Sequence, residues 1–143
     1  MNKKIYIIED DANIVYGLQA KFSSLGMAVE TNTDPENVES ALRAITISRP
    51  DYIVLDIILP RVDGLDILTA VKSNEEIFGI PVFVFADLST EQVKQRTMNL
   101  GADHYFIKEE FNIDQFVDKV VKIIQNRDKE AGNESSSNDI LKL

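Results

Sequence analysis

The stretch "DYIVLDIILPRVDG", residues 51–64, runs four apolar or aromatic side chains from Tyr52 to Leu55 straight into Asp56. A near-continuous apolar run of this length suits a parallel strand covered on both faces; a half-exposed strand would alternate. Asp56 closes the strand, and ligands in open α/β sheets bind outside the carboxyl ends of strands. The stretch therefore predicts a sheet and gives it one acidic rim position.

Working outward, five such runs alternate with helical patterns. The strands are read at 4–8 (KIYII), 27–31 (MAVET), 51–55 (DYIVL), 80–85 (IPVFVF) and 104–107 (HYFI). Over 12–25, Ile14, Leu18, Phe22 and Leu25 predict one helical face, and Gly26 a stop. Asp34 before Pro35 reads as an N-cap and first-turn proline, with Val38, Ala41, Leu42 and Ile45 as the buried stripe. Leu65, Leu68 and Val71 mark a third helix. Ser89 with Gln92, and Asn112 with Gln115, are spaced as capping boxes opening two more; Gly101 ends the first of these, and Phe116, Val117, Val120 and Ile124 stripe the second. Strict (βα)₅ alternation predicts a doubly wound parallel five-stranded sheet with helices on both faces.

The chain of 143 residues, 44% hydrophobic and 27% charged, is sized for one well-cored domain. It has no cysteine, which excludes disulfides and thiolate chemistry. The N-terminal apolar run is too short for a signal peptide and no stretch reaches spanning length, so the expected location is cytoplasmic, away from the membrane. A net charge of −9, from 24 acidic and 15 basic residues, argues against direct nucleic-acid binding. The expected domain covers 1–126. Residues 127–143, "RDKEAGNESSSNDILKL", lack the apolar content to offset ordering entropy and are expected to be a disordered polar tail.

Glu9 and Asp10 follow the first strand, Asp56 the third and Lys108 the fifth, so sequence-distant charges converge on one rim. Crowded carboxylates stay ionised only when a cation joins them. A hard divalent ion with oxygen ligands fits, and a lysine beside it suits a phosphoryl group. The pattern points to metal-assisted phosphoryl chemistry with an aspartate as nucleophile. Asp11 reads as the cap of the first helix. His104, the single histidine, reads as an edge or surface residue, and Asp87 and Asp103 as turn or capping residues.

In this order, "IIEDD", "LDIILPRVDG" and "GADHYFIK" resemble the receiver domain of bacterial two-component response regulators, over about residues 3–126. The resemblance implies a flavodoxin-like sheet of order 2-1-3-4-5. It implies Asp56 as phosphoacceptor from a histidine kinase or phosphotransfer protein, and Asp10 as an Mg²⁺ ligand supported by Glu9. The carbonyl of Ile58 would be a further ligand, Lys108 the phosphoryl contact and Tyr105 the switch aromatic. It further implies a single-domain regulator, monomeric or weakly homodimeric. Such a protein signals by docking a downstream partner through the face of helix four, strand five and helix five.

Two positions depart from the pattern. Ala86 stands where the family carries Thr or Ser, removing a hydroxyl whose bond to a charged group is worth roughly 1.5–3 kcal/mol. The loss would weaken coupling of phosphorylation to conformation, or leave Tyr105 free to turn inward; the residues are compatible with both. Glu109 replaces the usual proline after the lysine, so the Lys108–Glu109 bond is expected to be trans. Together they raise an alternative, a degenerate receiver serving as a constitutive interaction module. Ile58 and Leu88, apolar at positions that influence water access in the family, imply slow self-dephosphorylation. Enzymes on similar folds fit poorly: Ile58 sits where a haloacid-dehalogenase-type phosphatase needs a second Asp, and G-x-G-x-x-G is absent.

Overall fold

The computed structural model describes residues 2–87 and 90–141, with side chains through Ala131. Five strands, β1 (Lys4–Ile8), β2 (Ala28–Asn32), β3 (Tyr52–Leu55), β4 (Val82–Ala86) and β5 (His104–Ile107), alternate with five helices. These are α1 (Ala12–Ser24), α2 (Val38–Ser48), α3 (Gly64–Ser73), α4 (Glu91–Asn99) and α5 (Ile113–Leu141). All strand pairs are parallel and the order is β2-β1-β3-β4-β5, as expected. The order reverses between β1 and β3, so the crevice at their carboxyl ends is where such sheets bind ligands.

Alternation along the strands builds two cores. Ile8, Ile53, Leu55, Val82 and Val84 face α2, α3 and α4, where Ala41, Ile45, Leu68 and Val71 close over them. Ile5, Ile7, Val54, Phe83 and Phe85 face α1 and α5, meeting Leu18, Phe22, Phe116, Val117 and Val120. Both faces of β3 and β4 are buried, which is why their sequences lack polar residues. The Phe85 and Phe116 rings stack at 4.0 Å, tying α5 to the sheet.

Several caps follow the expected chemistry. Asp11 accepts from the amides of Asn13 and Ile14. Asn112 and Gln115 form a reciprocal capping box, at 3.0 and 2.8 Å. Others differ. Asn37, not Asp34, caps α2 by accepting from the Ser40 amide, because Asp34 is drawn away by Arg61. Thr90 caps α4 through the Val93 amide; Ser89 and Leu88 lie outside the described residues. Leu25 is the exposed C-cap of α1, and Gly26 takes the left-handed turn after it with φ +85°. The helix α5 continues through Leu141, past the expected boundary at 126. Among its residues with described side chains the last buried one is Ile124, and residues 125–131 are exposed.

His104 lies on the edge strand β5, half-buried, its ring stacked on Phe83 at 5.0 Å. Desolvation holds the imidazole below its ordinary range; Asp103 opposes this and Arg127 adds to it. A histidine disfavoured as a cation contributes stability that is fully present above its unfolded value and lost as pH falls through it. Wild type should therefore lose stability relative to His104→Phe between about pH 7.5 and 5.5. Paired urea unfolding curves at the two pH values measure this, and a difference that stays constant would refute it.

Candidate functional site

The register of the sheet assembles the site. Ile8 of β1 pairs with Leu55 of β3, so Glu9 and Asp56, the next residue on each strand, stand side by side at about one strand spacing, ~4.8 Å. Main-chain bonds hold both: the Asp56 amide donates to the Ile8 carbonyl at 2.9 Å and the Glu9 amide to the Asn32 carbonyl at 3.3 Å. Ala86 of β4 pairs with Ile107 of β5, placing Lys108 one step beyond the sheet. The Lys108 amide donates to the Ala86 carbonyl at 2.7 Å, which aims its side chain back toward β3.

The side chains meet as the sequence predicts. Lys108 Nζ lies 2.7 Å from Glu9 Oε1 and 3.1 Å from Asp56 Oδ2, and its ammonium passes 5.9 Å from the Phe85 ring centroid. Glu9 and Asp56 are buried, at 1% and 2% exposure, whereas Asp10 is open to solvent. Carboxylate oxygens of Glu9, Asp10 and Asp56 all lie within 4.8 Å of one another. The amide of Ile58 donates to Asp56 Oδ1 at 3.1 Å, so its carbonyl belongs to the turn that encloses the acid.

Burial lifts the Glu9 carboxyl to about 8, with Asp56 pushing the same way and Lys108 pulling against both. Burial pulls the Lys108 ammonium down, but hydrogen bonds and charge from Glu9 and Asp56 outweigh it and hold the group above the ordinary lysine range. One ammonium compensates one buried carboxylate. The second keeps a proton up to mildly alkaline pH unless a further cation arrives.

The loop from Asp56 to α3 is shaped by close backbone approach. Ile58 and Asp63 form an antiparallel bridge, Gly64 N–H donates to the Ile57 carbonyl at 3.0 Å, and Asp63 caps α3 through the Leu65 amide at 2.8 Å. A Cβ at Gly64 would lie 2.4 Å from the Ile57 Cα and 2.6 Å from the Asp56 carbonyl oxygen. An Asp-Gly pair before an apolar helical stripe is the sequence signal for this Asp63 cap, which the periodicity of Leu65, Leu68 and Val71 does not reveal.

Ala86 is buried on the α4 side of the sheet, and half-buried Tyr105 packs against the same cluster. Ile58 is 63% exposed beside Asp56. The Lys108–Glu109 peptide is trans, as expected. Asp87 is an exposed turn residue, while Asp103 accepts from the Val82 amide and pairs with Lys72 at 3.0 Å, bracing the opposite end of the sheet.

Residues 5–121 match the response regulator receiver domain family. The chain belongs to that family. Across 108 residues this receiver is 34% identical to the alkaline phosphatase synthesis transcriptional regulatory protein PhoP of Bacillus subtilis, covering 76% of the receiver and 43% of PhoP. The chain spans about half the length of the curated relatives it matches. It superposes on the BeF3-activated receiver domain of DrrB with a TM-score of 0.73 at 26% identity, covering 87% of this chain and 99% of that one. A CheY-like receiver from Methanospirillum hungatei JF-1 shares the fold, with a TM-score of 0.77 at 22% identity over 91% of this chain and 99% of the other. The receiver thus belongs to two-component signalling. Among the described residues no helix is long and apolar enough to cross a membrane.

Proposed function

We propose that this receiver accepts a phosphoryl group on Asp56 from a phosphohistidine of a kinase or phosphotransfer protein. An Asp56 carboxylate oxygen attacks phosphorus, the P–O bond forms as the P–N bond breaks, and the imidazole leaves with a proton. The observation that carries this reading is Lys108 Nζ bonded to both Glu9 and Asp56, beside the three-carboxylate cluster. Its all-oxygen donor set is the hard chemistry that suits Mg²⁺, with Glu9, Asp10, Asp56 and the Ile58 carbonyl as the residues that would hold it. When bound, Mg²⁺ masks the negative charge of nucleophile and phosphoryl oxygens. Lys108, now shared between carboxylates, turns its ammonium to the phosphoryl oxygens after transfer.

Tyr105, with α4, β5 and α5, supplies the face that docks the downstream protein. With Ala86 lacking a hydroxyl, the main-chain bond from Lys108 to Ala86 and the passage of the Lys108 ammonium over Phe85 link the phosphoryl contact to β4.

Incubation with Mg²⁺ and a small acyl phosphate, followed by intact mass spectrometry, tests the reading. Wild type should gain one phosphoryl group, and Asp56→Asn or chelation of the metal should abolish the gain. A wild type that stays unmodified under every donor tried would overturn the phosphoacceptor role and leave a constitutive interaction module.

A further inference from the structure

We propose that Arg61 is a positioning residue for the cation site, an inference that rests on the Mg²⁺-dependent reading of Asp56 given above. Arg61 belongs to the loop 57–63, which carries the Ile58 carbonyl and curls around a hollow of about 480 Å³. The inner end of the loop is pinned by the Ile58–Asp63 bridge. Its outer end is held by one guanidinium. Arg61 Nε and Nη2 each lie 3.0 Å from the two carboxylate oxygens of Asp34, a bidentate fork. Nη2 also donates to the Asp34 carbonyl at 3.3 Å, and Nη1 to Glu36 at 3.4 Å.

Asp34 is itself fixed. Its amide donates to Asn32 Oδ1 at 3.2 Å, and the Asn32 carbonyl accepts from the Glu9 amide. A continuous set of bonds therefore joins the loop bearing Ile58 to the strand end bearing Glu9, the two sides of the cation site. An exposed ion pair is ordinarily worth little, and Arg61 and Asp34 are 47% and 58% exposed. This one differs in being bidentate, in adding a main-chain acceptor, and in bridging two loops rather than two turns of one helix.

The charge of Arg61 makes the test decisive. Acting only through the long-range field, Arg61 repels Mg²⁺, so Arg61→Gln would tighten binding. Acting as a positioning group, it holds the Ile58 carbonyl in place, so the same change weakens binding. Mg²⁺ titration of the ¹⁵N-labelled full chain, read by amide shifts, should show Arg61→Gln weakened about threefold or more. Arg61→Lys, which keeps the charge and loses the fork, should also be weaker than wild type. Hydrogen exchange of amides 57–63 without metal should quicken in both. Arg49→Gln, which breaks the exposed Arg49–Glu76 pair, serves as the control and should match wild type. Unchanged or tighter Mg²⁺ binding by Arg61→Gln would overturn the proposal alone. A wild type with no Mg²⁺ response would overturn the cation-site reading and this inference with it.

Discussion

Replacing Gly64 with alanine is expected to remove about 3 kcal/mol or more of folding stability. The added Cβ would stand 2.4 Å from the Ile57 Cα, 2.6 Å from the Asp56 carbonyl oxygen and 2.8 Å from the Ile57 carbonyl oxygen. All three are backbone atoms, so no side chain can rotate aside to make room. Either α3 lifts away from the β3 end, or the turn 57–63 opens and the Gly64–Ile57 hydrogen bond breaks. Both responses disturb the Asp56 surroundings, so loss of phosphoryl uptake should accompany loss of stability. Gly79 is the control, because a Cβ there meets nothing within 4 Å. Gly79→Ala should therefore shift the urea midpoint little. A Gly64→Ala protein as stable as Gly79→Ala would contradict the packing argument.

The second large effect has the opposite sign. In metal-free buffer at about pH 8, Glu9→Gln should be more stable than wild type, by on the order of 2–4 kcal/mol. The folded protein raises the Glu9 carboxyl from its ordinary 4.5 to about 8, chiefly because the group is buried. Between those values the folded state keeps a proton that the unfolded chain has released. Wild-type stability contributed by this group is thus fully present below about 4.5, falls as pH rises, and levels off above about 8. Glutamine has no such titration, so the two proteins should converge toward the acid end. Mg²⁺ should raise wild-type stability at the alkaline end and narrow the gap, since the cation takes the place of the proton. Urea unfolding across this pH range, with chelator or with Mg²⁺, gives the four curves needed. A Gln variant less stable than wild type in chelator would show that the Lys108 pair outweighs burial.

Much of this was legible in the sequence because the informative residues act locally. The β1, β3 and β4 runs are apolar on both faces, which only a doubly covered strand requires, and the observed strand ends lie within two residues of those read. Glu9, Asp56 and Lys108 each follow a strand directly and Asp10 comes one residue later, so topology alone brings them together. What escaped depended on a distant partner in one case and on local backbone geometry in the others. Asp34 before Pro35 carries every local mark of a helix cap, yet Arg61, 27 residues away, claims its carboxylate and Asn37 caps instead. The Leu25 position satisfies helical periodicity but falls at the C-cap, where the chain turns out to solvent. The Gly64 contact is invisible to pattern, because it concerns how near two pieces of backbone come.

The pairing of Ile8 with Leu55 has a consequence for how this protein can vary. A slip of β1 by one residue would send Ile5 and Ile7 to the core shaped for Tyr6 and Ile8, and Tyr6 and Ile8 to the other. The same slip would carry Glu9 a residue's length from Asp56. Core packing and the acidic cluster are thus measured by one ruler. Variants of Lys4–Ile8 that keep this register keep the spacing of the acids, whereas at Glu9 itself stability and chemistry pull apart.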